Sequence, residues 1–155
     1  FTANNFSFQL KGVFNFNATD DKGDNVRLIS LNRAGTASVD FLEIFLFATA
    51  KPLRLVKRIS GGTEVNVTAT SHSEYEVGDA FNIRVRADDV GLYMKFNNED
   101  WVSVTSGASP TDWTNYLDLI SVGSQAGATL ASNIDASGLS IHQPALSLTR
   151  LAALT

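Results

Sequence analysis

Cysteine is absent from this 155-residue chain. That removes disulfides, thiolate zinc sites, iron-sulfur clusters and cysteine nucleophiles together, yet leaves the redox compartment open, because a domain of this length buries enough core to stand without staples. Basic clusters are also missing: no run exceeds Lys57-Arg58 and the net charge is -4, so nothing supplies the phosphate neutralisation on which nucleic-acid affinity rests. Long apolar runs are lacking too. The longest, Phe41 to Ala50, is interrupted by Glu43 and falls short of the roughly 20 residues of a membrane-spanning helix. No charged segment precedes an apolar one at the start, so the chain, which begins at Phe1, reads as an excised or processed fragment. What is present, 44% hydrophobic and 18% charged residues, is the composition of a folded globular protein and not of a disordered one. One domain spanning residues 1–155 is expected.

The dominant pattern is strict alternation. From Phe6 to Asn17 one parity carries Phe6, Phe8, Leu10, Gly12, Phe14 and Phe16, and the other Ser7, Gln9, Lys11, Val13, Asn15 and Asn17, as a half-buried strand requires. The same period recurs over Glu64 to Thr70 and Phe81 to Ala87. Leu92, Met94 and Phe96 alternate with Tyr93, Lys95 and Asn97, and Val102 and Val104 follow an Asn97-Asn98-Glu99-Asp100 turn; adjacent asparagines tolerate left-handed geometry, so this segment predicts a β-hairpin. Arg27 to Asn32, Val39 to Ala48 and Leu53 to Ile59 are more continuously apolar and predict central strands.

Turn residues punctuate these runs at short intervals, including Asp20 to Asp24, Lys51-Pro52, Ser60-Gly61-Gly62, Gly78-Asp79 and Asp88 to Gly91. Many short strands so separated predict an all-β, antiparallel two-sheet sandwich. Only the C-terminus departs from this pattern: Ser147 is placed to cap a short helix carrying Leu148, Leu151 and Leu154 at helical spacing. The Ser, Ala and Gly-rich stretch from Gly123 to Gly138 predicts a looped crossing before a final strand over Leu139 to His142.

The order of these elements resembles the concanavalin A-like jelly rolls, in particular the laminin-G-like domains of phage tail and extracellular binding proteins. FSFQLKGVFNF, DKGDNVRLISL, LEIFLF followed by LRLVKR, and VGDAFNIRVRADDVGLYMKFNNEDWVS carry the resemblance over most of the chain. Its most specific part is the end, where LDLISVGS and PALSLTRLAAL are similar to the family's penultimate strand and closing segment. Asn98 stands where such hairpins carry glycine, and a His-Asn-Arg cluster with a following Trp and Glu, as galectins use, is not found. The resemblance implies a recognition module within a larger extracellular or virion protein, such as a tail fibre or receptor-binding protein.

The residues bear on three chemistries. Glycoside hydrolysis needs two carboxylates flanking one bond, whereas Asp40 and Glu43, at odd spacing, fall on opposite faces of a strand; His72 and His142 stand apart from any nucleophile motif. The domain is therefore read as non-catalytic. For metal, the loop bearing Asp20, Asp21, Asp24 and Asn25 offers oxygen ligands of the kind calcium takes, against the plainer reading of a solvated acidic turn. Asp88-Asp89 is a second such turn. Calcium is required by neither reading. For sugar, aromatic faces stack on ring C-H groups while amides and charged groups bond hydroxyls. Tyr93, Lys95, Asn97, Trp101 and Arg84 share the outward parity of the predicted hairpin and its neighbour, and Asp112, Trp113 and Asn115 form a second aromatic and polar group. The expected partner is a surface glycan or polysaccharide. The competing reading is an assembly domain whose aromatics meet protein, with homo-oligomerisation through Trp101 or Trp113. Two sequons, at Asn17 and Asn66, add little, since such triplets arise readily by chance.

Overall fold

The computed structural model describes residues 5–17, 26–32, 41–46, 53–58, 65–68, 76–105, 119–123 and 134–155. Ten strands run in chain order: β1 (Phe6–Phe14), β2 (Val26–Asn32), β3 (Phe41–Leu46), β4 (Leu53–Arg58), β5 (Val65–Thr68), β6 (Ala80–Ala87), β7 (Leu92–Phe96), β8 (Val102–Val104), β9 (Leu119–Val122) and β10 (Ile134–His142). A short helix, α1 (Leu148–Ala152), closes the chain. The strands form two five-stranded antiparallel sheets, ordered β10-β1-β6-β7-β8 and β5-β4-β3-β2-β9. This is the expected sandwich. No helix among the described residues is long and apolar enough to cross a membrane.

The alternating parity of β1 becomes the floor of the core. Phe6, Phe8, Leu10 and Phe14 are buried, and the register sets Phe8 beside Val85 and Val85 beside Met94, while Leu10 lies beside Ile83 and Ile83 beside Phe96. Ile29, Leu31, Leu42, Ile44, Leu55 and Val67 of the second sheet complete the same cluster. Burial of each large side chain contributes about 1.5 to 3 kcal/mol. Phe14 is the aromatic hub, with ring centroids 4.8 Å from Phe81 and 5.6 Å from Phe16.

Two register shifts matter for what the faces display. Along β10, Gly138 pairs with Lys11 and Ala136 with Gly12, so Ser137 is an extra, bulged residue and the parity of β1 runs on unbroken. Gly12 sits where a Cβ would lie 2.5 Å from the Asp135 carbonyl oxygen and 2.8 Å from the Phe81 ring. In β2, Arg27 pairs with Phe45 and Ile29 with Ile44, leaving Leu28 as the extra residue. Both Leu28 and Ile29 are consequently buried in the core, and Arg27 joins Ser30 on the outer face.

β10 is longer than the Leu139 to His142 segment expected from sequence. Its first half, despite Ala136, Ser137 and Gly138, is held by the extended partner that β1 supplies. α1 forms where expected: the Ser147 Oγ accepts from the Arg150 amide at 3.3 Å, satisfying one of the orphan donors of the first turn, and Leu151 is fully buried.

Candidate carbohydrate-binding faces

The outer face of the first sheet carries the hairpin residues singled out from sequence. Gln9, Arg84 and Lys95 align across β1, β6 and β7, and Ser7, Arg86, Tyr93 and Ser103 across β1, β6, β7 and β8. Continued by one step, the β7–β8 register sets Lys95 opposite Trp101. The parity is as read from sequence, but the face is not an open wet surface. Residues 145–154 lie over it: the Leu154 carbonyl accepts from Arg84 Nη2 at 2.7 Å and from Gln9 Nε2 at 3.2 Å. The Leu146 carbonyl accepts from Arg86 Nη1 at 3.1 Å, and the Leu146 amide donates to Ser7 Oγ at 3.1 Å.

Arg84 is 7% exposed, and burial lowers its guanidinium pKa from the ordinary value. Its Nη1 donates to the Asn97 carbonyl at 3.1 Å. Asn97, in the left-handed region at φ 46°, accepts from the Asn82 amide through Oδ1 at 2.7 Å and donates its own amide to the Asn82 carbonyl at 2.8 Å. Lys95 Nζ donates to the Glu99 carbonyl. Arg84, Lys95 and Asn97 are thus brought together, as expected, and all three brace the turn between β7 and β8. Tyr93 and Trp101 remain half-exposed toward one margin. Burial, then the Asp88 carboxylate, raises the Tyr93 phenol above its ordinary pKa.

Asp112, Trp113 and Asn115, and the acidic loop with Asp20, Asp21, Asp24 and Asn25, lie outside the described residues. Among the described residues no group of three or more His, Asp or Glu is placed to hold a metal. Asp88 is engaged in its own turn, Oδ1 accepting from the Val90 and Gly91 amides at 2.9 and 3.0 Å and Oδ2 from Arg86 Nε.

The outer face of the second sheet carries a mostly polar row, buried at its centre, that sequence reading passed over. Ser121, Ser30, Glu43, Val56 and Asn66 align across β9, β2, β3, β4 and β5, and Arg54 pairs with Thr68. The bulge at Leu28 brings Arg27 onto this face, where its Nε donates to Glu43 Oε2 at 3.1 Å. Ser30 Oγ donates to Glu43 Oε1 at 2.7 Å and accepts from Asn32 Nδ2 at 2.7 Å. The chain of bonds has one direction, from amide to hydroxyl to carboxylate. It fixes the Asn32 amide so that Oδ1, a buried acceptor, is left without a hydrogen-bond partner. Glu43 is 3% exposed and the Arg27 side chain 28%, so the carboxylate orients a guanidinium that still reaches water. Of this network the Arg27 guanidinium is the part that can offer donors to a carboxylate or hydroxyl, since Ser30 and Asn32 are fully buried. Glu43 is its only carboxylate among the described residues. The signal in sequence was an Arg, a Ser and an Asn interrupting the apolar run of β2, and Glu43 interrupting β3.

The chain matches no protein-family model and no curated protein. Solved structures similar to it share its fold. The carbohydrate-binding module CBM40 of the Ruminococcus gnavus IT-sialidase, bound to α2,6 sialyllactose, superposes with a TM-score of 0.67 at 15% identity, over 98% of this chain and 83% of that one. An ancestral congerin gives 0.57 at 13% identity over 92% and 95% of the two chains, and chicken galectin 2 gives 0.54 at 11% over 91% and 93%. The chain has the two-sheet jelly-roll β-sandwich fold of these solved structures.

Proposed function

We propose that the chain is a non-catalytic, lectin-like carbohydrate-binding module, and that the outer face of the second sheet is where glycan is held. The observation that carries the reading is Arg27, whose half-buried guanidinium is oriented by Glu43 at 3.1 Å, with the fully buried Ser30 and Asn32 holding that carboxylate from behind. Sugar hydroxyls are read by such planar, oriented groups. Complexes of the similar CBM40 with sialyllactose support the reading. Arg27 and Arg54 favour a glycan bearing a carboxylate over a neutral one. Tyr93 and Trp101 are proposed as a lesser aromatic margin on the opposite sheet, with Arg84, Lys95 and Asn97 holding it. The proposed setting is a larger extracellular or virion protein, with calcium at the Asp20 to Asn25 loop as an optional addition.

The test is a glycan array on the purified domain, with sialylated, uronate-bearing and neutral glycans, in calcium and again in EDTA. The expected result is binding to acidic glycans that is lost in Arg27→Ala and kept in Trp101→Ala. Binding that survives Arg27→Ala but not Trp101→Ala would move the site to the hairpin margin. A second reading, an assembly domain, is favoured by one observation: β10 is an edge strand, exposed from Asp135 to Leu139, and unpaired edges recruit other strands. A blank array together with a trimeric or larger species in solution would establish it.

A further inference from the structure

The strand register gathers Lys11, Arg84, Arg86 and Lys95 on the outer face of the first sheet, a concentration of positive charge in a chain whose net charge is -4. Of these, Arg86 alone meets a carboxylate among the described residues, that of Asp88. Arg84 and Lys95, paired across β6 and β7, are held by neutral carbonyls instead, of Asn97 and Leu154 for the first and of Glu99 for the second. A buried guanidinium without a counter-ion is costly. On the same face Arg84 Nε, Ser140 Oγ beside Gln9 and His142 Nε2 beside Ser7 are buried polar atoms with no hydrogen-bond partner, so the C-terminal segment covers this floor without satisfying it. The cover is also lightly fastened. Its bonds run from side chains of the sheet to main-chain groups of the segment: Arg84 and Gln9 to the Leu154 carbonyl, Arg86 to the Leu146 carbonyl, and Ser7 to the Leu146 amide. Leu151 is the one buried side chain between residues 143 and 155, and a segment with so little buried apolar surface opens well below the free energy of global unfolding.

We propose that the last turn, Leu151 to Leu154, is an autoinhibitory cover over an anion site on the first sheet, and that a carboxylate-bearing ligand displaces the Leu154 carbonyl from Arg84 and Gln9. The displaced carbonyl stands where a carboxylate oxygen would lie. A carboxylate accepts the same two donors and also compensates the charge, which a neutral carbonyl cannot do. Lys95, directly across from Arg84, and Lys11, on the neighbouring strand, add to the attraction. The inference goes beyond the second-sheet reading and does not depend on Arg27.

The experiment follows amide hydrogen exchange and chemical shifts of the intact, isotopically labelled domain with trigalacturonate, with maltotriose and acetate as controls. Trigalacturonate should speed exchange severalfold at the Leu151, Ala153 and Leu154 amides while β1 stays protected, the reverse of the protection a bound ligand ordinarily confers. Two substitutions that both loosen the cover should then act in opposite directions. Leu151→Ala removes the buried anchor, raises the open fraction and should tighten binding about tenfold; Arg84→Met removes the guanidinium and should abolish it. Binding that Leu151→Ala leaves unchanged or weakens overturns the proposal, and so does slowed exchange at those three amides. Should Leu151→Ala fail to fold, the exchange measurement on the unaltered chain decides alone. An equal response to maltotriose overturns the role of charge, whereas an equal response to acetate supports the site and assigns it to small carboxylates instead of acidic glycans. Shifts confined to Arg27 and its neighbours would sink the cover while leaving the second-sheet reading in place; displacement of the cover with Arg27 silent would do the reverse.

Discussion

Arg84 Nη2 donates to the carbonyl of Leu154 at 2.7 Å, so a side chain from the middle of β6 holds the last turn of the chain against its own sheet. The same guanidinium holds the Asn97 carbonyl. Arg84→Met keeps the stem and removes both donors, taking the guanidinium from the Asn97 carbonyl and leaving the Leu154 carbonyl with Gln9 Nε2 alone, in a region the C-terminal segment covers. A loss of about 2 to 3 kcal/mol is expected, read as a lowered urea midpoint with little change in slope. Amide exchange should rise at Leu151 and Ala153 before it rises in β1. A midpoint equal to wild type would mean that Leu151 and the bonds from Gln9, Ser7 and Arg86 hold the C-terminal segment without Arg84.

Gly12→Ala sets a methyl carbon against the Asp135 carbonyl and the Phe81 ring. The ring can turn aside, but the carbonyl belongs to the backbone of β10, which must move. Overpacking of this kind costs about 1 to 3 kcal/mol. Thermal unfolding checks the size of the effect, and loss of exchange protection concentrated on β10 checks its place.

Asn97 separates two contributions. Glycine at this position relieves the left-handed conformation, worth about 1 kcal/mol, while losing the bond to the Asn82 amide, worth about the same. Asn97→Gly should therefore lie within about 0.5 kcal/mol of wild type. Asn97→Ala loses the bond and keeps the strain, and should cost about 1 to 2 kcal/mol. Equal effects of the two substitutions in denaturant titrations would show that backbone geometry has no part in the turn.

Tyr93 gives the domain a pH dependence at the alkaline end. Its folded pKa is raised above 10.0, chiefly by burial and then by Asp88, so the folded state holds the phenolic proton more tightly than the unfolded chain. Its stabilising contribution is complete below the unfolded pKa and is lost as pH rises through the folded value. Between about pH 9 and about pH 11 wild type should lose more stability than Tyr93→Phe. Parallel melts over that interval would show that the phenol is not responsible.

Much of the fold was legible because burial on one side of a strand writes itself as parity. β1, β6 and β7 alternate by two and were read correctly, as were the hairpin at Asn97 and the helix capped by Ser147. The faces were less legible. Arg84 and Asn97 look solvated because parity reports only which side of a sheet a residue occupies, and what covers that side is a segment far along the chain. On the second sheet the expectation of central strands covered on both faces holds, Ser30 and Asn32 being fully buried and Glu43 3% exposed, but it gave no sign of the polar network beneath that cover. Ser30 and Asn32 sit in a run apolar enough to suggest cover on both sides, and Arg27 reaches their face only through an extra residue, Leu28, which no period reveals. β10 was cut short for a related reason: its Ala, Ser and Gly residues have weak strand preference, and it is the length of β1 that orders them.

The order of strands also divides the two sheets in time. β2, β3 and β4 each pair with their immediate successor, so most of the second sheet can zip together by short-range closures while synthesis is still under way. β1 is made first yet lies between β6 and β10, and Phe8 meets Val85 and Ile141 only when those residues have left the ribosome. Through that interval Phe6, Phe8, Leu10 and Phe14 travel as an unclaimed greasy strip on a nascent polypeptide. A holding chaperone that recognises aromatic, extended segments would find its longest-lived target there, and the yield of native domain should follow its supply.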